Sequence, residues 1–225
     1  MPAAPQLASI IDHTLLRADA NEEEIFALCR QAKTHKFHSV CVNGMWVKFA
    51  RHFLRETNVK VCAVVGFPLG AASTAVKVYE TKQAILDGAD EIDMVMAIGA
   101  MKSENEEYVF DDIKAVTAAA GERIVKVILE VGLLDDAEIA RACEIAVGAG
   151  AAFVKTSTGI LAGGAKVDAV QLMRTIVGPH FGVKASGGIR TQEQARSMIE
   201  AGATRLGCSQ SIAVIMGDEA DDSAY

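Results

Sequence analysis

Lys155, in Phe153-Val154-Lys155-Thr156-Ser157-Thr158-Gly159, and Lys184, in Val183-Lys184-Ala185-Ser186-Gly187-Gly188, each sit in a short apolar run that closes on hydroxyl and glycine residues. Lysine is rarely buried in such a run unless it is paired or chemically used. A desolvated ammonium gives up its proton readily, and the free amine attacks carbonyl carbon. Two such lysines, each ahead of a loop suited to phosphate, point to imine chemistry on a phosphorylated carbonyl compound. Asp93, in Glu91-Ile92-Asp93-Met94-Val95, and Lys126, in Val125-Lys126-Val127-Ile128, likewise set a charge between apolar neighbours. Side chains alternate across a strand, so each of the four should face away from its apolar neighbours. Crowded ammonium groups disfavour one another's charged form, and a nearby carboxylate can move protons directly or through one water. Residue type leaves open whether Lys155 or Lys184 is the nucleophile. The alternative is a buried ion-pair network without catalysis, but several ammonium groups around one carboxylate are a costly way to fill space.

The elements that must position these residues follow from periodicity. Short β-branched runs at Ile10–Thr14, Ser39–Val42, Val59–Val65, Glu91–Met96, Ile124–Leu129, Ala152–Ser157, Gly182–Ala185 and Thr204–Cys208 predict strands. Amphipathic stretches at Glu22–Lys33, Val76–Leu86, Tyr108–Ala119, Asp136–Val147, Val167–Val177 and Gln192–Ile199 predict helices. Strand and helix in alternation mean βαβ units and a parallel sheet. Eight strands fit an α/β fold closed into a (β/α)8 barrel, with an open doubly wound sheet as the alternative. Asp87-Gly88-Ala89-Asp90, Gly148-Ala149-Gly150-Ala151 and Ala201-Gly202-Ala203-Thr204 each end a helix and lead into a strand, as glycine C-caps do. In such a barrel the loops after the last strands hold phosphate. Gly187 and Gly188 after the seventh strand, and Gly207 and Ser209 after the eighth, are the candidates, with Thr158 and Gly159 as an added donor loop.

A chain of 225 residues, 51% of them hydrophobic, is long enough for one such domain, since these barrels occupy roughly 200–250 residues. We expect the domain over residues 1–216 and an acidic, loosely held tail over 217–225, ending in Tyr225. A net charge of −7 argues against nucleic-acid and membrane-surface partners, and no apolar run has the length of a membrane span. The start lacks a basic and apolar leader, and Cys29, Cys41, Cys62, Cys143 and Cys208 are scattered and odd in number. Both features predict a cytoplasmic protein with reduced core cysteines. The five histidines have no metal-ligand spacing, and no dinucleotide or Walker motif is present, so neither a metal nor a nucleotide is expected. His13, beside Asp12, reads more readily as a satisfied structural group than as an acid or base.

The motifs around Lys155 and Lys184, with Gly66-Phe67-Pro68-Leu69-Gly70, Ala89-Asp90-Glu91-Ile92-Asp93-Met94-Val95, Ile11-Asp12-His13-Thr14-Leu15 and Lys126-Val127-Ile128-Leu129-Glu130, resemble the signatures of the deoxyribose-phosphate aldolase family. The resemblance runs in order from about residue 8 to residue 215. It implies a metal-independent class I aldolase on a TIM barrel, with no cofactor and with a phosphosugar and aldehydes as small-molecule partners. Carried over by position, Lys155 is the Schiff-base lysine, Lys184 the lysine that perturbs it, and Asp93 the carboxylate of the proton relay. Gly187, Gly188, Gly207 and Ser209 match phosphate-loop positions. Asp12 and Lys126 are accessory candidates, and Tyr225 resembles a C-terminal tyrosine that in some members reaches the active site. Ala97, Val131, Ile160 and Gln210 depart from the pattern, at places that bear on phosphate binding and substrate preference. Many barrels of this kind are dimers, which makes a homodimer the assembly to test.

Overall fold

The computed structural model describes residues 7–217, so Tyr225 and nearly all of the expected tail lie outside the described residues. Eight strands run parallel in chain order: β1 (Ile11–Leu15), β2 (Ser39–Val42), β3 (Lys60–Val65), β4 (Glu91–Val95), β5 (Ile124–Ile128), β6 (Phe153–Lys155), β7 (Gly182–Ser186) and β8 (Arg205–Cys208). β8 pairs with β1, so the sheet closes into a barrel and the open alternative falls away. The six expected helices form over Glu22–His35, Thr74–Leu86, Glu106–Ala120, Asp136–Gly148, Val167–Val177 and Gln192–Glu200. Val47–Leu54, Ile98–Lys102 and Ser211–Met216 are also helical but are not predicted, because five to eight residues give too few turns for a periodic signal.

Local chemistry explains where these elements begin and end. Asn21 with Glu24, Asp135 with Glu138, and Thr191 with Gln194 form reciprocal capping boxes at three helix starts. The three hinges share one closure, in which Ala89, Ala151 and Ala203 donate their N–H groups to the carbonyls of Ala84, Ala146 and Met198. Each needs a glycine at positive φ, and these are Gly88, Gly150 and Gly202. β6 stops two residues earlier than expected because the Thr156 hydroxyl takes over the ladder. It donates to the Ser186 carbonyl at 3.0 Å and accepts from the Ser186 N–H at 3.0 Å.

The strands divide their residues between two environments. Outward-facing Val40, Val61, Ile92, Val125, Val154, Val183 and Leu206 join one continuous core beneath the helices. The interior has a small apolar cluster of Leu16, Cys41, Cys62 and Val64, against Phe67, on the side of β2 and β3. Charged side chains dominate the opposite wall, with Phe153 set among them. All five cysteines are free and buried.

His13 lies on the outer face of β1, as the structural reading requires. Its Nε2 is 2.8 Å from Gln31 Oε1 and its Nδ1 2.9 Å from Ser211 Oγ. Burial pushes its pKa down to about 4, against the opposing bond to Gln31.

Two predictions follow from these packings. Gly150→Ala meets nothing closer than 3.8 Å and suffers only from φ, at about 1 kcal/mol. At Gly202 a Cβ would stand 2.6 Å from Arg174 Cγ, so Gly202→Ala should cost roughly 1–3 kcal/mol more in urea denaturation. For His13, the folded value of about 4 lies below the ordinary 6.5, so the unfolded chain binds more protons between them. Stability should therefore fall as pH drops from about 6.5 to about 4, by on the order of 3 kcal/mol. His13→Asn should flatten that part of the curve of urea midpoint against pH.

Candidate active site

Asp93 sits at the middle of the barrel with every carboxylate position taken. Its Oδ2 accepts from Lys155 Nζ and Lys184 Nζ, each at 2.7 Å. Its Oδ1 accepts from Lys126 Nζ at 2.8 Å and from the Cys62 thiol at 3.1 Å. Strand register makes this possible, since Asp93 is paired with Lys126 on β5 and Lys155 with Lys184 on β7. Burial opposes ionisation of Asp93, but Lys126, Lys155 and Lys184 outweigh it and hold the carboxyl well below the usual range.

Lys184 has a second carboxylate, with Asp12 Oδ2 at 2.5 Å. Burial pushes its ammonium down, while Asp12 and Asp93 more than offset this and raise it above the ordinary lysine value. Lys126 likewise gains Glu91 Oε2 at 2.5 Å. Arg205 bridges Asp12 Oδ1 and Glu91 Oε2 at 3.0 Å each, and His38 Nε2 lies 3.0 Å from Glu91 Oε1. Among the described residues of this interior, four basic side chains (Lys126, Lys155, Lys184, Arg205) meet three carboxylates (Asp12, Glu91, Asp93). One proton fewer makes the enclosure neutral. Lys155 is the lysine that shares half a carboxylate and has no other ion-pair partner among these contacts, and it alone of the three reaches the cavity above.

That cavity, of about 440 Å³, opens at the C-terminal ends of the strands, where barrels place their chemistry. Lys155 lies at its floor, with Thr158, Gly159, Gly187, Gly188, Gly207 and Ser209 in its walls, so all six expected binding residues line one space. Gly187 and Gly188 have φ of +88° and +75°. A Cβ on Gly187 would meet Gly164 Cα at 3.0 Å and Gly159 Cα at 3.1 Å, so the loops after β6 and β7 touch backbone to backbone. On Gly207 a Cβ would press on Ser186 Cβ at 2.9 Å and Lys184 Cε at 3.1 Å, so this glycine makes room for the lysine stem. The Thr158 hydroxyl donates to Glu130 Oε2 at 2.5 Å, which commits it to holding its loop.

Several residues of the site were not expected from sequence. Arg205, Glu91 and His38 complete the charged interior, Glu130 anchors the loop after β6, and Arg190 stands at the cavity rim. Glu91 carried a signal, because it lies two residues before Asp93 and so shares its face of the strand. Glu130 carried none, since it turns inward from a left-handed backbone at φ 58°. Ile160 lines the cavity, whereas Ala97, after β4, and Val131, after β5, are buried and do not line it.

Comparison with known proteins agrees with this geometry. The model of the DeoC/LacD family aldolases matches residues 7–217. Deoxyribose-phosphate aldolase 1 of Bacillus licheniformis is 56% identical over 218 residues, covering 96% of this chain and 98% of the relative. A deoxyribose-phosphate aldolase of Clostridium botulinum is 55% identical over 210 residues, covering 93% and 99%. Among solved structures, QR15, an aldolase, superposes with a TM-score of 0.90 at 40% identity, covering 93% of this chain and 94% of that one. A tetrameric deoxyribose phosphate aldolase from Aeropyrum pernix has a TM-score of 0.88 at 33% identity, covering 95% and 91%. With its charged barrel interior, its open cavity and these relatives, the chain belongs to the DeoC/LacD aldolase family.

Proposed function

We propose that this lyase cleaves 2-deoxy-D-ribose 5-phosphate reversibly into D-glyceraldehyde 3-phosphate and acetaldehyde, with Lys155 as the Schiff-base residue. The observation that carries the choice of lysine is the unequal pairing of the two amines. Lys184 is clamped by Asp12 and Asp93, whereas Lys155 shares one oxygen of Asp93 and faces the cavity. A neutral Lys155 attacks the C1 aldehyde of the open-chain sugar, water leaves, and a protonated imine remains. That cation keeps its N–H toward Asp93 and draws electrons from C2, so the C2–C3 bond breaks once the C3 hydroxyl loses its proton to the relay of Asp93 and Lys184. Glyceraldehyde 3-phosphate departs. The enamine is protonated at C2 and hydrolysed to acetaldehyde, which frees Lys155.

The phosphate fits the glycine-rich end of the cavity. Consecutive positive-φ glycines, Gly187 and Gly188, allow close approach of backbone N–H groups, and Gly207 and Ser209 face them. Arg190 at the rim adds a positive charge to a chain whose overall field is negative. Further parts of this reading are a homodimeric assembly, a cytoplasmic location in keeping with five free thiols, and an accessory role for Tyr225 within a tail over 217–225. No helix among the described residues is long and apolar enough to cross a membrane.

Incubation with acetaldehyde and borohydride, followed by peptide mapping, tests the assignment. A reduced two-carbon adduct on Lys155 is expected. An adduct formed only with a ketose phosphate would mark a different Schiff-base aldolase or transaldolase, and none at all would mark a sugar-phosphate-binding barrel without catalysis. Lys155→Ala should abolish turnover with the fold intact, and near-normal turnover in it would overturn the reading. Lys184→Leu should move the acid limb of kcat/KM to higher pH, because one cation fewer favours protonation of the remaining bases.

A further inference from the structure

Below the reacting layer the interior holds a second tier of charge. Arg205 opens β8 and Glu91 opens β4, one residue pair below Gly207 and Asp93 on the inward faces of their strands. The Arg205 guanidinium lies 5.3 Å above the Phe153 ring, and that ring fills the space where a Cβ on Gly182 would stand at 2.3 Å. Glycine at 182 therefore seats the phenylalanine, which seats the arginine. Arg205 then takes Asp12 Oδ1 and leaves Oδ2 for Lys184. Glu91 takes Lys126, which also meets Asp93 Oδ1 at 2.8 Å, Cys62 Sγ at 3.5 Å and, more distantly, Asp12 Oδ2 at 3.9 Å, so that Asp93 Oδ2 is left for Lys155 and Lys184.

We propose that Arg205 and Glu91 are positioning residues for the aldolase reaction: they lock the far oxygens of the two aspartates, so that the near oxygens bind Lys184 tightly and Lys155 by a single shared contact. The inference rests on the Schiff-base reading and extends it one layer down. Neither residue lines the cavity. Their charge nonetheless belongs to the same enclosure, whose basic members are Lys126, Lys155, Lys184 and Arg205, with His38 at the outer edge. Its acidic members are Asp12, Glu91 and Asp93, and the thiols of Cys41 and Cys62 face them from β2 and β3.

The two residues have opposite signs, so their removal has opposite consequences. The test is the rate of acetaldehyde trapping at Lys155 by cyanoborohydride, followed against pH in wild type, Arg205→Met, Arg205→Lys and Glu91→Gln, each checked for fold by far-ultraviolet circular dichroism. Arg205→Met should move the midpoint to higher pH and Glu91→Gln to lower pH, each by roughly half a unit to one unit. Both should lose on the order of 10- to 100-fold in kcat/KM, because the aspartates are no longer held in register with the lysines. Arg205→Lys should restore the midpoint, which follows charge, but not kcat, which follows the two-pronged bridge. Glu91→Gln is nearly isosteric and carries the test by itself if Arg205→Met does not fold. Midpoints that stay at the wild-type value in folded variants, or that move together, would overturn the proposal while wild-type trapping at Lys155 leaves the Schiff-base reading standing. Absence of trapping at Lys155 in wild type would overturn both.

Discussion

The structure depends on one carboxylate shared among too many cations. Asp93 meets Lys126, Lys155 and Lys184 within 2.8 Å, and all four are buried. In low dielectric an uncompensated charge is expensive, so the enclosure must either pair each ammonium or discharge one. Asp12 and Glu91 satisfy Lys184 and Lys126, and the remaining imbalance falls on Lys155. Reactivity and packing here are the same problem, since the geometry that keeps two lysines charged leaves the third available to a carbonyl compound.

The barrel makes that imbalance tolerable by confining it. Parallel strands in register bring residues from β1, β4, β5, β6, β7 and β8 to one centre, while β2 and β3 contribute thiols and Val64. Glycines at 182 and 207 cut space for Phe153 and the Lys184 stem, and glycines at 159, 164 and 187 let two loops meet above. Each absence of a side chain thus sets the position of another one. The helices outside bury a continuous apolar core, so the charged interior is held by a shell that does not depend on it.

Much of this was legible from residue order, for identifiable reasons. Lys155, Lys184, Asp93 and Lys126 stand out because a charge inside a β-branched run must be either paired or chemically used. Arg205 and Glu91 stand out less, because each lies at the start of its strand next to a polar hinge residue, Thr204 or Asp90, and only Glu91, on the face of Asp93, carries a positional signal. The Gly-Ala hinges were recognisable, although in the middle one the left-handed residue is Gly150 and Gly148 closes the helix. Glu130 was invisible, since its role comes from a left-handed backbone that no local pattern announces. The glycines read as phosphate-loop residues do line the cavity, but Gly187 and Gly207 also have packing duties that spacing alone does not reveal. The choice between Lys155 and Lys184 came from resemblance in the sequence and from unequal pairing in the structure.

The central claim is that Lys155, held by Asp93, forms an imine whose neighbouring carbon can lose and regain a proton. It is tested most directly by proton NMR of acetaldehyde in D2O with enzyme and no acceptor aldehyde. The account predicts methyl-proton exchange in the wild type and its loss in Lys155→Ala, because exchange requires the enamine. Undiminished exchange in Lys155→Ala would contradict it.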